Sequence, residues 1–295
     1  MKIKISLGQR IFDICNIIIM LFLMITMIYP LWHVACASLS DGTALMSHQG
    51  LLLLPKNFSL EAYRSVFTNK FLLSSYLNTF ILVLGNLAVS ISMTALAAYC
   101  LSRKNFPTGR YIMKFIMLTM FIGGGLIPTY LLITRTLGLH DSYWALILPS
   151  AISTYNMIIM RTSFSQVPEE LIEAGRLDGA THWQTLFRIV LPLSMATVSV
   201  ILLYYGVARW NSWFSESIYL KTRGKFPLQL ILREILIQNS TESMMEGDTR
   251  AADTYALSEV IKYAIIMVAT VPILLLYPYL QKYFKKGVMI GAVKG

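Results

Sequence analysis

Residues 173–192 read EAGRLDGATHWQTLFRIVLP, a polar and charged stretch set between hydrophobic segments. Just upstream, Pro168 suits a first helical turn, and Glu169 and Glu170 favour the positive end of a helix dipole. Leu171, Ile172, Ala174 and Leu177 recur at helical spacing, which predicts a short amphipathic helix. Asp178-Gly179 marks a turn, and Thr181 followed by Gln184 has the form of a capping box that starts a second helix. The pattern is helix, turn, helix, lying outside a bilayer and ending at Pro192. Local pattern alone fits either a solvated amphipathic loop or a surface on which something docks.

The surroundings of this stretch set the class. The chain has 295 residues, 56% of them hydrophobic and only 14% charged, which is far from an ordinary soluble domain. Roughly 20 apolar residues span the hydrocarbon core as a helix. Six apolar runs predict spans, at about residues 11–39, 71–101, 111–134, 143–160, 193–214 and 258–283. The expectation is an all-α membrane protein of six transmembrane helices, each closing its own backbone hydrogen bonds. The net charge of +10 does not point to nucleic acid, because of how it is distributed. With the N-terminus inside, the inner side carries Lys2, Lys4, Arg10, Arg103, Lys104, Arg110 and Lys114. It also carries Arg161, Arg176, Arg188, Lys282, Lys285, Lys286 and Lys294, whereas the short outer segment between the third and fourth runs offers only Arg135. This is the positive-inside pattern, and it places both termini in the cytoplasm.

The chain is expected to form one transmembrane domain over 1–295, with no internal repeat. Ala35-Cys36-Ala37 resembles a signal-peptide cleavage site, but the preceding apolar run is too long for a secretory signal, which favours an uncleaved helix. Cys15, Cys36 and Cys100 show no ligand spacing and read as small buried hydrophobes. Leu60, Tyr63, Val66 and Phe67 predict a short interfacial helix. The segment at about 215–257 reads as a long outer loop, polar from Gln238 to Asp253, and is either a mobile surface or a contact for an external partner.

Several motifs are missing from the sequence. It contains no G-x-x-x-x-G-K-[ST] phosphate loop, no G-x-S-x-G and no H-E-x-x-H, and His33, His48, His140 and His182 stand apart from one another. No catalytic or metal-ligating residue is assigned. Gly123-Gly124-Gly125 before Pro128 reads as a helix break or close-packing site rather than an anion loop. Arg209 falls in the fifth run, where a charge at depth is a functional signal. Its alternative is to snorkel to water beside Trp210 and Trp213 in an aromatic belt. Tyr204, Tyr205, Arg209, Trp210, Asn211 and Trp213 are candidates for a solute path, since amides beside aromatic rings suit the hydroxyls and C–H faces of sugars. Asn78 and Asn156 are weaker candidates of the same kind, because an Asn in a span also serves as helix-packing glue.

Taken together, Glu173-Ala174, Asp178-Gly179-Ala180, Phe187 and Leu191-Pro192 resemble the EAA loop of ABC importer permeases. Gly175 stands where that family has its second Ala, a change that costs a helix roughly 1 kcal/mol. The ending Lys286-Gly287-Val288-Met289-Ile290-Gly291-Ala292-Val293-Lys294-Gly295, with Phe226-Pro227-Leu228-Gln229 and Trp210-Asn211-Ser212-Trp213-Phe214, is similar to sugar permeases of the maltose-type inner-subunit family, in its oligosaccharide or polysaccharide branch. The resemblance covers essentially the whole chain. It implies the MetI-like type I importer architecture, with a coupling loop at about 163–192 and a cytoplasmic tail at about 284–295. In it Glu173, Ala174, Gly175, Asp178, Gly179, Ala180, Phe187 and Pro192 shape the contact with an ATPase. The implied partners are a second homologous permease, two ATP-binding subunits that hold the ATP and Mg, and an extracytoplasmic solute-binding protein. The implied cargo is a sugar, moved by alternating access across a bacterial cell membrane, with no cofactor bound by this chain. A permease for peptides or amino acids, and a secondary sugar carrier, are the alternatives. A carrier often shows internal repeats or discontinuous helices, and neither is evident in the sequence.

Overall fold

The computed structural model describes residues 7–245 and 255–275, and side chains over 8–237 and 255–275. In chain order the helices are α1 (Leu7–Ser38), α2 (Gly42–Met46), α3 (Glu61–Phe67), α4 (Leu72–Ser102), α5 (Gly109–Leu118), α6 (Leu126–Leu131), α7 (Trp144–Ile147) and α8 (Thr154–Ser165). Then follow α9 (Glu169–Leu177), α10 (His182–Gln184), α11 (Leu191–Leu193), α12 (Met195–Trp210), α13 (Phe214–Tyr219), α14 (Leu228–Met245) and α15 (Tyr255–Leu275). No strand occurs among the described residues. The fold is all-α.

Three helices, over Gly8–Ser38, Leu72–Ser102 and Tyr255–Leu275, are long and apolar enough to cross a membrane unbroken. The third and fourth expected spans are interrupted. The run at 111–134 breaks over 122–125, where Gly125 takes φ +75°, and resumes as α6 and a wide π turn at Leu132–Thr136. This is the break foreshadowed by Gly123-Gly124-Gly125. The run at 143–160 holds only the single turn of α7 before an irregular stretch over 148–153 and then α8. The fifth run, 193–214, holds α12 unbroken over Met195–Trp210, and an 87° bend at Ser194, two residues after Pro192, separates it from the helical stretch His182–Leu193. Discontinuous helices are thus present where the sequence suggested continuous ones. The segment at 215–257, expected as a loop, is helical over Phe214–Tyr219 and Leu228–Met245, because Leu228, Leu230, Ile231 and Leu232 have a buried face to fill. Residues 246–254, part of the sixth run and the tail at 284–295 lie outside the described residues.

The chain divides into two compact units. In the one formed from Met1–Lys70 and Leu232–Val271, α1 exposes Phe12, Ile18, Phe22, Ile25 and Met27 along its length. Only its end is covered, where Cys36 and Ala37 pack with Leu52 under Leu45 and Tyr263. Gly42 is required there, since a Cβ would sit 2.5 Å from the Ala256 carbonyl carbon. The expected interfacial helix is α3, with Ala62 and Val66 buried and Phe67 outward.

In the other unit, Phe71–Ile231, α4 packs against α8 and α12. Its buried residues fall on one stripe, Leu72, Ser75, Thr79, Leu82, Asn86, Ser90 and Thr94, while Leu73, Leu77, Ile81 and Leu84 face out. The amphipathy is inverted: small and polar side chains pack inward and the apolar face suits lipid.

Candidate functional site

A cavity of about 570 Å³ opens where the two helix breaks meet α12. Gly125, Leu126 and Thr129 come from the first break, Pro149, Ser150 and Ser153 from the second, and Tyr204, Tyr205 and Arg209 from α12. Non-helical backbone at membrane depth is tolerated where it is buried in protein or lines a cavity, which is its position here. The volume lies within the range of ligand cavities.

Arg209 organises the wall. The expectation that it snorkels to water is overturned, since its side chain is only 7% exposed. Nη1 donates to Glu216 Oε1 at 3.0 Å, in an ion pair whose carboxylate is 1% exposed. Nη2 reaches Leu146 O at 2.7 Å, Asn86 Oδ1 at 3.2 Å and the Ser150 hydroxyl. Ser212 donates to the other Glu216 oxygen at 2.8 Å. Two charges out of water require such pairing and supporting hydrogen bonds. One donor is left over: Nε is buried without a partner. Tyr205 joins the same wall, its hydroxyl accepting from the Ser153 N–H at 2.8 Å and bonding Thr94 Oγ1 at 2.8 Å. It thereby bridges α4 and the second break.

Of the sequence candidates, Asn156, Tyr204, Tyr205 and Arg209 line this cavity, with Asn156 6% exposed. Asn78 lies elsewhere, donating to the carbonyls of Gly224 at 2.7 Å and Phe226 at 3.1 Å, so that it secures the 220–228 loop. Trp210 is buried edge-to-face on Phe80 rather than set in an exposed aromatic belt, while Asn211 is exposed at the helix end and Trp213 stacks edgewise on Phe214. Asn86, Ser150 and Glu216 were not singled out from the sequence. Asn86 within an apolar run and Glu216 seven residues after Arg209 were the available signals. Lys225, at the start of the 215–257 segment, pairs with Asp141 at 2.8 Å. Asp141, at φ +53°, also accepts from Thr222 Oγ1 and from the N–H groups of Lys221 and Thr222. Lys225 first and Thr222 second hold its carboxyl well below the usual carboxylate range.

At the opposite end of this unit the 173–192 stretch folds as its pattern predicts. Pro168 is the N-cap of α9, one position ahead of the expected first turn. The helix ends in a Schellman motif: Ala180 N–H bonds Gly175 O at 2.9 Å and Gly179 N–H bonds Arg176 O at 3.0 Å. That closure needs Gly179 at φ +79°. The Thr181–Gln184 capping box then forms, with both reciprocal bonds present. Gly175 faces Ile189, whose Cδ1 lies 2.7 Å from where a Cβ would stand and would have to move aside to admit one. Glu173, Ala174, Asp178, Gly179, Phe187 and Pro192 are exposed, and Gly175 and Ala180 partly so. Of the apolar positions at helical spacing only Ile172 is buried, while Leu171 and Ala174 are exposed and Leu177 is 89% exposed. Leu177 and Trp183, the latter stacked on Phe187 at 6.0 Å and not singled out from the sequence, enlarge the exposed face. The inner face belongs to the main core: Ile172, Leu186 and Val190 cluster with Tyr99, Met160, Phe164, Ile201 and Tyr205. One packed cluster thus runs from the hairpin to a residue of the cavity wall.

Among the described residues no group of three His, Cys, Asp or Glu is placed to hold a metal. A polar cavity at paired helix breaks, packed through one core to an exposed amphipathic hairpin, defines a membrane permease. Residues 90–290 match the binding-protein-dependent transport system inner membrane component family, and the chain belongs to it. It is 39% identical to the polygalacturonan/rhamnogalacturonan transport system permease protein YtcP of Bacillus subtilis, over 97% of this chain and 99% of that one. It is 38% identical to the protein LplC of the same organism, over 97% and 96%. A crystal structure of a bacterial ABC transporter involved in the import of the acidic polysaccharide alginate superimposes with a TM-score of 0.81 at 29% identity, covering 95% of this chain and 98% of that chain. The chain is a membrane-embedded permease of an ABC importer, and it works with partner subunits.

Proposed function

We propose that this permease moves an acidic oligosaccharide, a fragment of a uronate-bearing polysaccharide, from an extracytoplasmic binding protein into the cytoplasm. Support for the cargo comes from the transport named for the 39%-identical relative and from the alginate importer of the same fold. The wall chemistry agrees: Asn86, Ser150, Ser153, Asn156, Tyr204 and Tyr205 supply groups for sugar hydroxyls, and Arg209 keeps one unpartnered donor. A second homologous permease completes the path, and two ATP-binding subunits hold ATP and Mg and carry out hydrolysis. Both termini are cytoplasmic, which puts the hairpin on the ATPase side.

The observation that carries the mechanism is the shared cluster of Ile172, Leu186 and Val190 with Tyr205. Close-packed interiors transmit displacement instead of absorbing it. Closure of the ATP-binding dimer displaces the docked hairpin through Glu173, Asp178, Gly179, Phe187 and the exposed Leu177 and Trp183. The cluster passes that displacement to α12 and Tyr205, and the cavity changes the side to which it opens. No carboxylate in the hairpin is assigned proton transfer.

Uptake into proteoliposomes holding the full complex and binding protein tests this reading. Labelled trigalacturonate should enter in an ATP-dependent manner and an uncharged galactotriose at least tenfold more slowly. Equal rates overturn the acidic cargo; ATP-independent uptake overturns the importer assignment.

A further inference from the structure

The hairpin covers a second cavity, of about 630 Å³, that the transport path does not use. Its walls include Tyr99, Phe106 and Trp183, with Arg103, Arg176 and His182 between them, and no acidic side chain lines it among the described residues. The two arginines are held at different depths. Arg103 lies over the Tyr99 ring at 5.0 Å and donates through Nη2 to Phe164 O at 3.1 Å and to the Ser102 hydroxyl. Its Nη1 is buried with no partner. Tyr99 bonds His182 Nδ1 at 3.3 Å, with the rings edge-to-face. Arg176, on the exposed side of α9, completes the rim.

A concave site with two guanidinium groups, one with an unmet N–H, and no neutralising carboxylate favours an anion. Three aromatic side chains beside those cations favour a ring with apolar C–H faces. We propose that this cavity is a binding site for a small acidic saccharide, the imported product, and that its occupancy restrains the hairpin and damps ATP turnover. This rests on the cargo reading above and adds a second site with a regulatory role. Bound ligand spans Arg103 at the end of α4 and Arg176 on the hairpin, so it adds a cross-link between the hairpin and α4. Product accumulating in the cytoplasm then slows its own import.

The intact complex in nanodiscs, without binding protein, provides the test. Digalacturonate should bind, and R176Q and R103Q should each weaken it at least tenfold. Galactobiose and AMP should bind at least tenfold more weakly than digalacturonate. R176Q lies on the surface, and assembly of both variants is checked by size-exclusion chromatography. Added digalacturonate should lower ATP hydrolysis in the wild type, and R176Q should relieve that effect. Digalacturonate binding unaltered by both substitutions, or no binding, overturns the proposal. Preferential binding of AMP lost in R176Q also overturns it, since the site would then serve phosphate. If vesicle uptake proves equal for acidic and neutral sugars, the cargo reading fails by itself, because binding at Arg176 is measured without transport.

Discussion

The hairpin of α9 to α11 seats on the body through Ile172, Leu186 and Val190, all apolar, while its outer face carries Glu173, Leu177, Asp178 and Trp183. The cavity wall is joined in the opposite way, through hydrogen bonds among the buried Arg209, Glu216 and Asn86 and the half-buried Ser150, which leave Arg209 Nε as the one unmet donor of the set. Apolar contact is non-directional and survives small displacements. A buried polar network is directional, and removing one member leaves the rest unpaired. The hairpin is therefore built to be pushed, and the wall to hold one arrangement until something displaces it.

Deleting the guanidinium breaks this contrast most severely. Arg209→Ala leaves Glu216 buried and uncompensated, and should destabilise the protein by about 3–5 kcal/mol in thermal unfolding, with uptake abolished. The double variant R209M/E216M removes both charges and should recover most of that stability while uptake stays lost. Recovery of uptake in the double variant would show that the pair serves only the fold.

Gly179→Tyr comes next. Its left-handed backbone penalises an L-residue by about 1–2 kcal/mol, yet no atom lies within 4 Å of a Cβ there, so the fold should persist. A bulky side chain on the exposed hairpin should cut ATP-driven uptake at least tenfold with membrane insertion unchanged. Full uptake and full stimulated ATPase in the purified complex sink the docking role.

Tyr205→Phe probes where the two regimes meet, because this side chain belongs to the apolar cluster and also offers its hydroxyl to the wall. Removing the oxygen leaves the Ser153 N–H without its acceptor, at a cost of about 1–3 kcal/mol. The ring stays packed, so uptake should fall only a few-fold. A loss as large as that of Arg209→Ala would move Tyr205 from support to direct cargo contact.

Much of this contrast was legible before the structure. The hairpin follows from short-range rules: Asp178-Gly179 for the turn, Thr181 with Gln184 for the cap, and Gly123 to Gly125 for the first break. Each involves residues within a few positions of one another. The wall was not legible, because Arg209 finds Asn86 and Leu146 across 123 and 63 residues, and a lone arginine near two tryptophans reads as snorkelling. The break at 148–153 was hidden for the same reason, since an apolar run does not reveal which carbonyls its neighbours will satisfy. The stripe Ser75, Thr79, Asn86, Ser90 and Thr94 was present at helical spacing. Its meaning depends on lipid being as apolar as leucine, so that the polar face is the one that packs inward.

The smallest effect is expected at the far edge of the wall's unit, where Asp141 clasps Lys221, Thr222 and Lys225. Asp141→Asn keeps an acceptor and removes the charge. Lys225 is 42% exposed and solvent screens the pair, so the change should cost no more than about 1 kcal/mol. The pH dependence has a fixed sign. Because the folded carboxyl titrates below its unfolded value of about 3.9, its stabilisation is complete above that pH and is lost as the pH falls through the folded value. Unfolding midpoints of wild type and D141N should therefore differ by a constant amount from about pH 5 to 8 and converge only in stronger acid. A difference that grows between pH 5 and 8 would instead mean that a group other than Asp141 governs the clasp.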